Sequence, residues 1–269
     1  MFPLAGKNFP SSSEELASSI REALADVLTL PKDGSIVKAE GGKFPVIKKL
    51  TVNLNGAMVS ATKPPPQPKP IGKREPGIDV GQLEILGHPI KYDHNKLDLH
   101  VNAKDLHFDF GRDNNGNPLL VLTEAGEGNI EAKISKADMQ GLLLAAAQEA
   151  GKQQKISIVD LQLDLTQSGP HSVKVDARVT AKKMLIKGVI HIQGKLDIDE
   201  ELNATISNLS AKGEGAIGNL VSGIVQSKLK PFEGRSVPLM TFSLGDIAMR
   251  DLKIAVTNNV QVTARFGKA

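Results

Sequence analysis

Three stretches of the chain repeat apolar residues with the period of a helix, and most of the remainder alternates with the period of a strand. The last helical stretch organises the rest. Ile217, Leu220, Val221, Ile224, Val225 and Leu229 fall on one face of a 3.6-residue repeat, while Asn219, Ser222, Gln226, Ser227 and Lys228 take the other. Pro231 ends it, with Lys228 and Lys230 in the last turn, where cations suit the helix dipole. The pattern predicts a helix from Gly218, flanked by strands on both sides, so its apolar stripe must lie on a sheet. The first stretch opens with Ser11-Ser12-Ser13-Glu14-Glu15, in which Ser12 and Glu15 make a capping box. Leu16, Ile20, Ala23, Leu24, Val27 and Leu28 form its stripe and Pro31 stops it, predicting a helix over 13–30. Phe9, before the cap, is placed to staple the first turn. A third helix is capped by Ser135-Lys136-Ala137-Asp138 and runs through Leu142-Leu143-Leu144 to about Ala150.

The strand pattern starts at Phe44, where Leu50, Val52, Leu54 and Met58 alternate with polar neighbours, with a bulge expected at Gly56. Strands are also predicted over 83–92 and 96–110. In the second of these the apolar set slips phase between Leu97, Leu99, Val101 and Leu106, Phe108, Phe110, which places a bulge near Ala103-Lys104. Asn114-Asn115-Gly116-Asn117 supplies a hairpin turn into Leu119–Leu122, and a separate short strand follows over 129–134. Beyond the third helix the chain is mostly strand, with a turn at Ser168-Gly169-Pro170 and further strands ending near Phe266. Three helices among long antiparallel strands make an α+β protein, not a βαβ one. No break in pattern divides the chain, so a single domain over 1–269 is expected. Its one insert, Lys63-Pro64-Pro65-Pro66-Gln67-Pro68-Lys69-Pro70 continuing to Lys73-Arg74-Glu75-Pro76, reads as a stiff basic loop over 63–76.

Composition narrows the functions. With 269 residues the chain can bury a sizeable core. It has no Cys, which excludes disulfides and thiolate metal sites. It has no Trp and one Tyr, so its interior is aliphatic and offers no aromatic platform for bases or sugars. A net charge of +3 is too small for a nucleic-acid binder and compatible with an anionic membrane surface. No run approaches the roughly 18 apolar residues of a membrane-spanning helix. The opening MFPLAGKNFP has no basic n-region or apolar h-region, so a cytoplasmic or peripheral-membrane location is expected unless a leader precedes it, in which case the location is periplasmic or extracytoplasmic.

Motifs for chemistry are weak. Gly213-x-Gly215-x-x-Gly218 has the letters of a dinucleotide fingerprint, but its neighbouring strands read as an antiparallel meander, and the glycines read as a close approach of helix to sheet. Asp113, Asn115, Asn117 and Glu124 match four positions of a calcium loop, yet Pro118 stands where the sharp turn needs Gly, and a hairpin fits better. Ser227-x-x-Lys230 lacks the companion motifs of a serine–lysine enzyme. His88, His94, His100 and His107 stand among Asp93, Asp98, Asp105 and Asp109, a pattern read as a wet sheet surface rather than a metal site. No enzyme, metal or cofactor is expected.

Gly194-Lys195-Leu196-Asp197-Ile198, Leu202-Asn203-Ala204-Thr205-Ile206, Gly215-x-x-Gly218 with its helix, Pro231-Phe232-Glu233-Gly234 and Val237-Pro238-Leu239 follow one another in a pattern that resembles the bacterial LmeA-type phospholipid-binding family. That family is a branch of the TULIP (tubular lipid-binding) superfamily. Ile130-Glu131-Ala132-Lys133-Ile134-Ser135 before an acid-bearing helix is similar too. The likeness is clearest over the last 140 or so residues. It implies a long, strongly curved antiparallel sheet wrapped around amphipathic helices, with an apolar groove for lipid tails and no catalysis. The basic proline-rich insert departs from it, as does the missing export leader.

On this reading the protein binds a phospholipid or fatty-acid tail as a carrier, transfer or membrane-maintenance protein. Leu16, Ile20, Leu24, Val27, Leu28, Ile217, Leu220, Val221, Ile224 and Val225 would line the groove, although such stripes are also what plain core looks like. Lys63, Lys69, Lys73 and Arg74 would meet anionic headgroups, or else form a solvated loop. The alternatives are a ligand-free protein-interaction module and an enzyme on lipids or glycans, which would need convergent polar groups in the groove.

Overall fold

The computed structural model describes residues 1–32, 35–59, 71–153, 155–183, 186–199, 203–238, 247 and 249–268. The chain is mostly strand with three α-helices among those residues, and the α+β class holds. In order the elements are β1 (Phe2–Pro3), α1 (Ser13–Ala25), β2 (Leu28–Thr29), β3 (Val37–Glu40), β4 (Val46–Asn53), β5 (Met58–Val59), β6 (Ile71–Tyr92), β7 (Asn95–Arg112) and β8 (Pro118–Ser135). There follow α2 (Lys136–Gln153), β9 (Ser157–Gly169), β10 (Ser172–Lys183), β11 (Ile186–Ile198), β12 (Asn203–Glu214), α3 (Gly215–Leu229), β13 (Ser236–Pro238), β14 (Met249–Val256) and β15 (Asn259–Gly267). Where the sequence reading has one domain, the chain divides into two compact units. One comprises Met1–Lys133, Met240–Asp251 and Thr263–Ala269, the other Ile134–Leu239 and Leu252–Val262.

Within the first unit the large sheet places β8, β7, β6, β4 and β3 side by side in that order. It is mixed, which corrects the expectation of antiparallel strands throughout. β4 pairs parallel to β6, from Val46 opposite Asp79 to Asn53 opposite Leu86. The chain between Asn53 and Ile71 is long enough for the return crossing of about a dozen residues that a parallel pair needs. β6 already starts at Ile71, so Lys73-Arg74-Glu75-Pro76 is strand and not the expected loop. Pro76 sits beside a shift in register with β7, a position where its missing N–H does no harm. Lys63–Pro70 lies outside the described residues.

Several boundaries move for tertiary reasons. Helix α1 keeps its cap, with Ser12 Oγ accepting from Glu15 N–H at 3.1 Å, while the Glu15 carboxylate reaches back to Ser11 N–H at 2.7 Å. It ends at Ala25, short of the predicted 30, because Leu28 and Thr29 pair with β5. Phe9 stacks on Phe110 with centroids 4.8 Å apart, under the Arg112 guanidinium at 4.5 Å, rather than serving as a simple staple. Gly56, with φ of 76°, shapes the turn between β4 and β5 and not a bulge within one strand. The two predicted strands at 119–122 and 129–134 are one strand, β8. The bulge expected near Ala103-Lys104 does not interrupt the pairing with β6, whose register is continuous from Ala103 opposite Leu83 to Leu106 opposite Val80; the local departure is the positive φ of 52° at Asp105. The hairpin is as read: Asp113 Oδ1 accepts from the N–H groups of Asn115 and Asn117, both at 2.8 Å. Beneath this sheet, Leu16, Ile20 and Leu24 of α1 are sealed against Leu50, Val80 and Leu106, with Leu16 at 0% exposure.

The second unit is simpler. Its five-stranded sheet is an antiparallel meander in the order β13-β12-β11-β10-β9. Cross-strand register lines up one apolar face: Leu161, Val179 and Ile190 in one row, Leu163, Ala177, Ile192 and Ala211 in the next. The other face is polar, with Gln193 bonded to Asp176 at 2.7 Å and Lys195 to Asp197 at 2.6 Å. Helix α3 starts at Gly215, three residues before the expected Gly218, and a 3₁₀ turn over Lys230–Phe232 carries it past Pro231.

Candidate apolar site of the second unit

Helices α2 and α3 are fastened to β9 and to the part of β12 beyond its short pairing with β13 by side chains that bond to strand backbone. On β9, Lys136 Nζ donates to Leu165 O at 3.0 Å, and Gln148 Nε2 donates to Ile158 O at 3.2 Å. Between them Leu163 N–H donates to Gln140 Oε1 at 3.2 Å. These three residues and Leu144 stand at multiples of four along α2, and so on one face of it. On β12, Ala211 N–H donates to Gln226 Oε1 at 2.6 Å, and the Glu233 carboxylate accepts from Asn208 and Leu209 N–H at 2.8 and 2.7 Å. Backbone groups of edge strands that would otherwise invite another strand are thereby occupied.

Glycines set the height of α3 above the sheet. A Cβ on Gly213 would stand 2.1 Å from the backbone C and O of Gly218, and one on Gly218 would stand 2.5 Å from Val189 O. The fingerprint-like glycines therefore work as a backbone-to-backbone contact, as read from the sequence.

Between the two helices and the sheet lies one apolar cluster. Val221, Ile156, Leu161, Val179 and Ile190 are buried in it. Leu144 and Ala147 of α2, Ile224 and Val225 of α3, and Leu163, Ile192 and Ala211 of the sheet face the same cluster yet are only partly buried. Of the residues picked from the sequence, the structure brings Val221, Ile224 and Val225 together here. Leu220 is 51% exposed, and the Ile217 side chain lies outside the described ones. Leu16, Ile20 and Leu24, with Leu28 beside them, belong to the core of the first unit, and Val27 is half-buried there. The α2 contribution was missed, although Leu142-Leu143-Leu144 followed by three alanines signals a helix that is apolar on more than one side. Nothing in the sequence signals the glutamines as edge partners.

Lys73 is exposed and Arg74 half-buried on β6, while Lys63 and Lys69 fall outside the described residues. Two of these histidines pair with carboxylates across the sheet surface: His88 Nδ1 with Asp98 at 2.9 Å, and His107 with both Asp79 at 2.7 Å and Asp109 at 3.4 Å. Among the described residues no group of three or more potential ligands gathers for a metal. No described helix is long and apolar enough to cross a membrane.

The hydrogen bond that the His107 imidazolium donates to Asp79, with both carboxylates adding charge, holds its pKa above the ordinary value against a smaller desolvation. A raised folded-state pKa gives stability that is fully present below the unfolded value of about 6.5 and lost as pH rises through the folded value. The stability difference between wild type and His107→Gln is therefore expected to shrink between pH 6 and pH 8.5. Urea midpoints at the two pH values measure it, and an unchanged difference would show that the pair contributes nothing. The effect is modest because the pair is well exposed.

Comparison with known protein families, curated proteins and solved structures finds no match to this chain.

Proposed function

We propose that the second unit binds the acyl chain of a lipid in the layer between α2, α3 and the apolar face of the five-stranded sheet. One observation carries this reading: apolar side chains from both helices and from the sheet face a common cluster and stay partly accessible. A layer closed for stability alone would bury them. Left accessible, they offer aliphatic contact to a flexible apolar chain, and no polar motif is needed to hold it. A tail of about sixteen carbons buried at roughly 0.8 kcal/mol per CH₂ gains some 12 kcal/mol before the cost of ordering it. The resemblance to tubular lipid-binding proteins supports the same reading, including a sheet curved around its helices.

Native mass spectrometry of protein purified without detergent, followed by organic extraction, tests the proposal. The expected result is a bound mass that extracts as a phospholipid or fatty acid. Protein that is empty and also refuses added fluorescent lipid would end it. In that event a protein-interaction module takes its place, a reading favoured by Leu143 of α2 and Leu220 of α3, exposed at 43% and 51%.

A further inference from the structure

We infer that the lipid carries a phosphate headgroup of net negative charge, held in a basic recess at the C-terminal end of α2; this rests on the acyl-chain reading above. The recess has a volume of ≈ 560 Å³, and Lys152, Lys155 and Lys182 line it together with Ile156 and Ile158. No carboxylate is among its described lining residues. Glu149 stands beside it and pairs with Lys152 at 3.0 Å, which leaves the group of three lysines and one acid with a surplus of positive charge. The C-terminal pole of α2 repels an anion with only about half a charge, so the lysines outweigh it.

The recess is joined to the apolar cluster through shared residues. Ile156 is part of the buried cluster and Ile158 packs against it. A lipid whose headgroup sits among the lysines thus passes directly onto aliphatic surface. The recess has room for a phosphate with its glycerol, and the oxygens of a phosphate can meet three ammonium groups where a carboxylate offers only two.

The loop that builds the recess places one lysine where glycine is the usual residue. Ile156 N–H returns to Gly151 O at 2.9 Å and Lys155 N–H to Lys152 O at 3.0 Å, closing the helix in a Schellman motif. Lys155 occupies its left-handed position with φ of 54°. Glycine there relieves the Cβ crowding, so a purely structural role predicts that Lys155→Gly improves the protein in every respect. A headgroup role predicts a higher melting midpoint together with weaker selection of anionic lipid.

The full-length protein is incubated with vesicles of phosphatidylcholine and phosphatidylglycerol in equal parts, re-isolated and extracted. Wild type is expected to hold phosphatidylglycerol in at least about tenfold excess, and the triple variant Lys152→Gln/Lys155→Gln/Lys182→Gln to approach parity with its total lipid unchanged. Lys155→Gly should lose part of the excess while its melting midpoint rises. Equal loading of both lipids by wild type, or a preference that survives in the triple variant, overturns the headgroup site and leaves the acyl-chain reading standing. Wild type that takes up neither lipid overturns both. Binding of inorganic phosphate by wild type, followed by ³¹P NMR, without any lipid preference would assign the recess to free phosphate and overturn the lipid assignment.

Discussion

Replacing Gly213 with alanine is expected to destabilise the second unit by about 3 kcal/mol, seen as a lower urea midpoint. The added Cβ meets backbone, at 2.1 Å from the C and O of Gly218 and 2.4 Å from Asn219 N. A crowded side chain can change rotamer, but these atoms belong to the first turns of α3 and move only with the whole helix. Lifting α3 would also loosen Val221 from Ile190 and Val179 and strain the bond between Gln226 and Ala211 N–H. Gly223 is the control. It is exposed in the same helix, and its Cβ would meet nothing within 4 Å. Gly223→Ala should therefore raise stability by up to about 1 kcal/mol through helix propensity alone. Equal midpoints for the two variants would show that the close contact does not set the helix position.

Ala211→Phe is expected to reduce bound lipid by tenfold or more while the unit stays folded. Ala211 lies opposite Ile192 in the half-accessible row of the sheet, and its backbone is held by Gln226. A benzyl group there occupies the space that the acyl chain needs, and because the site is partly open it need not overpack a sealed core. Extraction of lipid from purified variant and wild type measures the loss, and urea midpoints within about 1 kcal/mol of each other confirm that folding is intact. A folded variant that carries as much lipid as wild type would remove the crevice from consideration.

The two predictions draw on features of different legibility. Gly213 and Gly218 were visible because three glycines at fixed spacing before an apolar repeat have few uses, and the antiparallel pattern around them decided between a phosphate cradle and a close packing contact. The stripe of α3 was equally plain. Ala211 was not visible as a site residue, since a small residue in an alternating strand looks like any other. It acquires a role only when register places it opposite Ile192 and α3 passes above it.

The limits of α1 show a related conflict. Val27 and Leu28 continue its stripe, so local periodicity extends the helix. The two-residue pairing of β2 with β5 takes Leu28 away, because strand pairing is settled by a partner some thirty residues distant in sequence. The parallel alignment of β4 with β6 has the same origin: alternation reports that a segment is a strand and is silent on the direction of its neighbour.

By itself the sequence determined the aliphatic interior, the three helices, most of the strands, the hairpin at Asn114–Asn117 and the glycine contact beneath α3. Each of these follows from a repeat or a turn residue whose cause lies within a few positions along the chain. Only the tertiary structure decided that the two stripes serve separate cores, that Gln140, Gln148 and Gln226 occupy strand edges, and that Lys152, Lys155 and Lys182 share a recess. Those arrangements join residues brought together by strand register and helix placement, and polar side chains on a helix surface carry no mark of the backbone group they will meet.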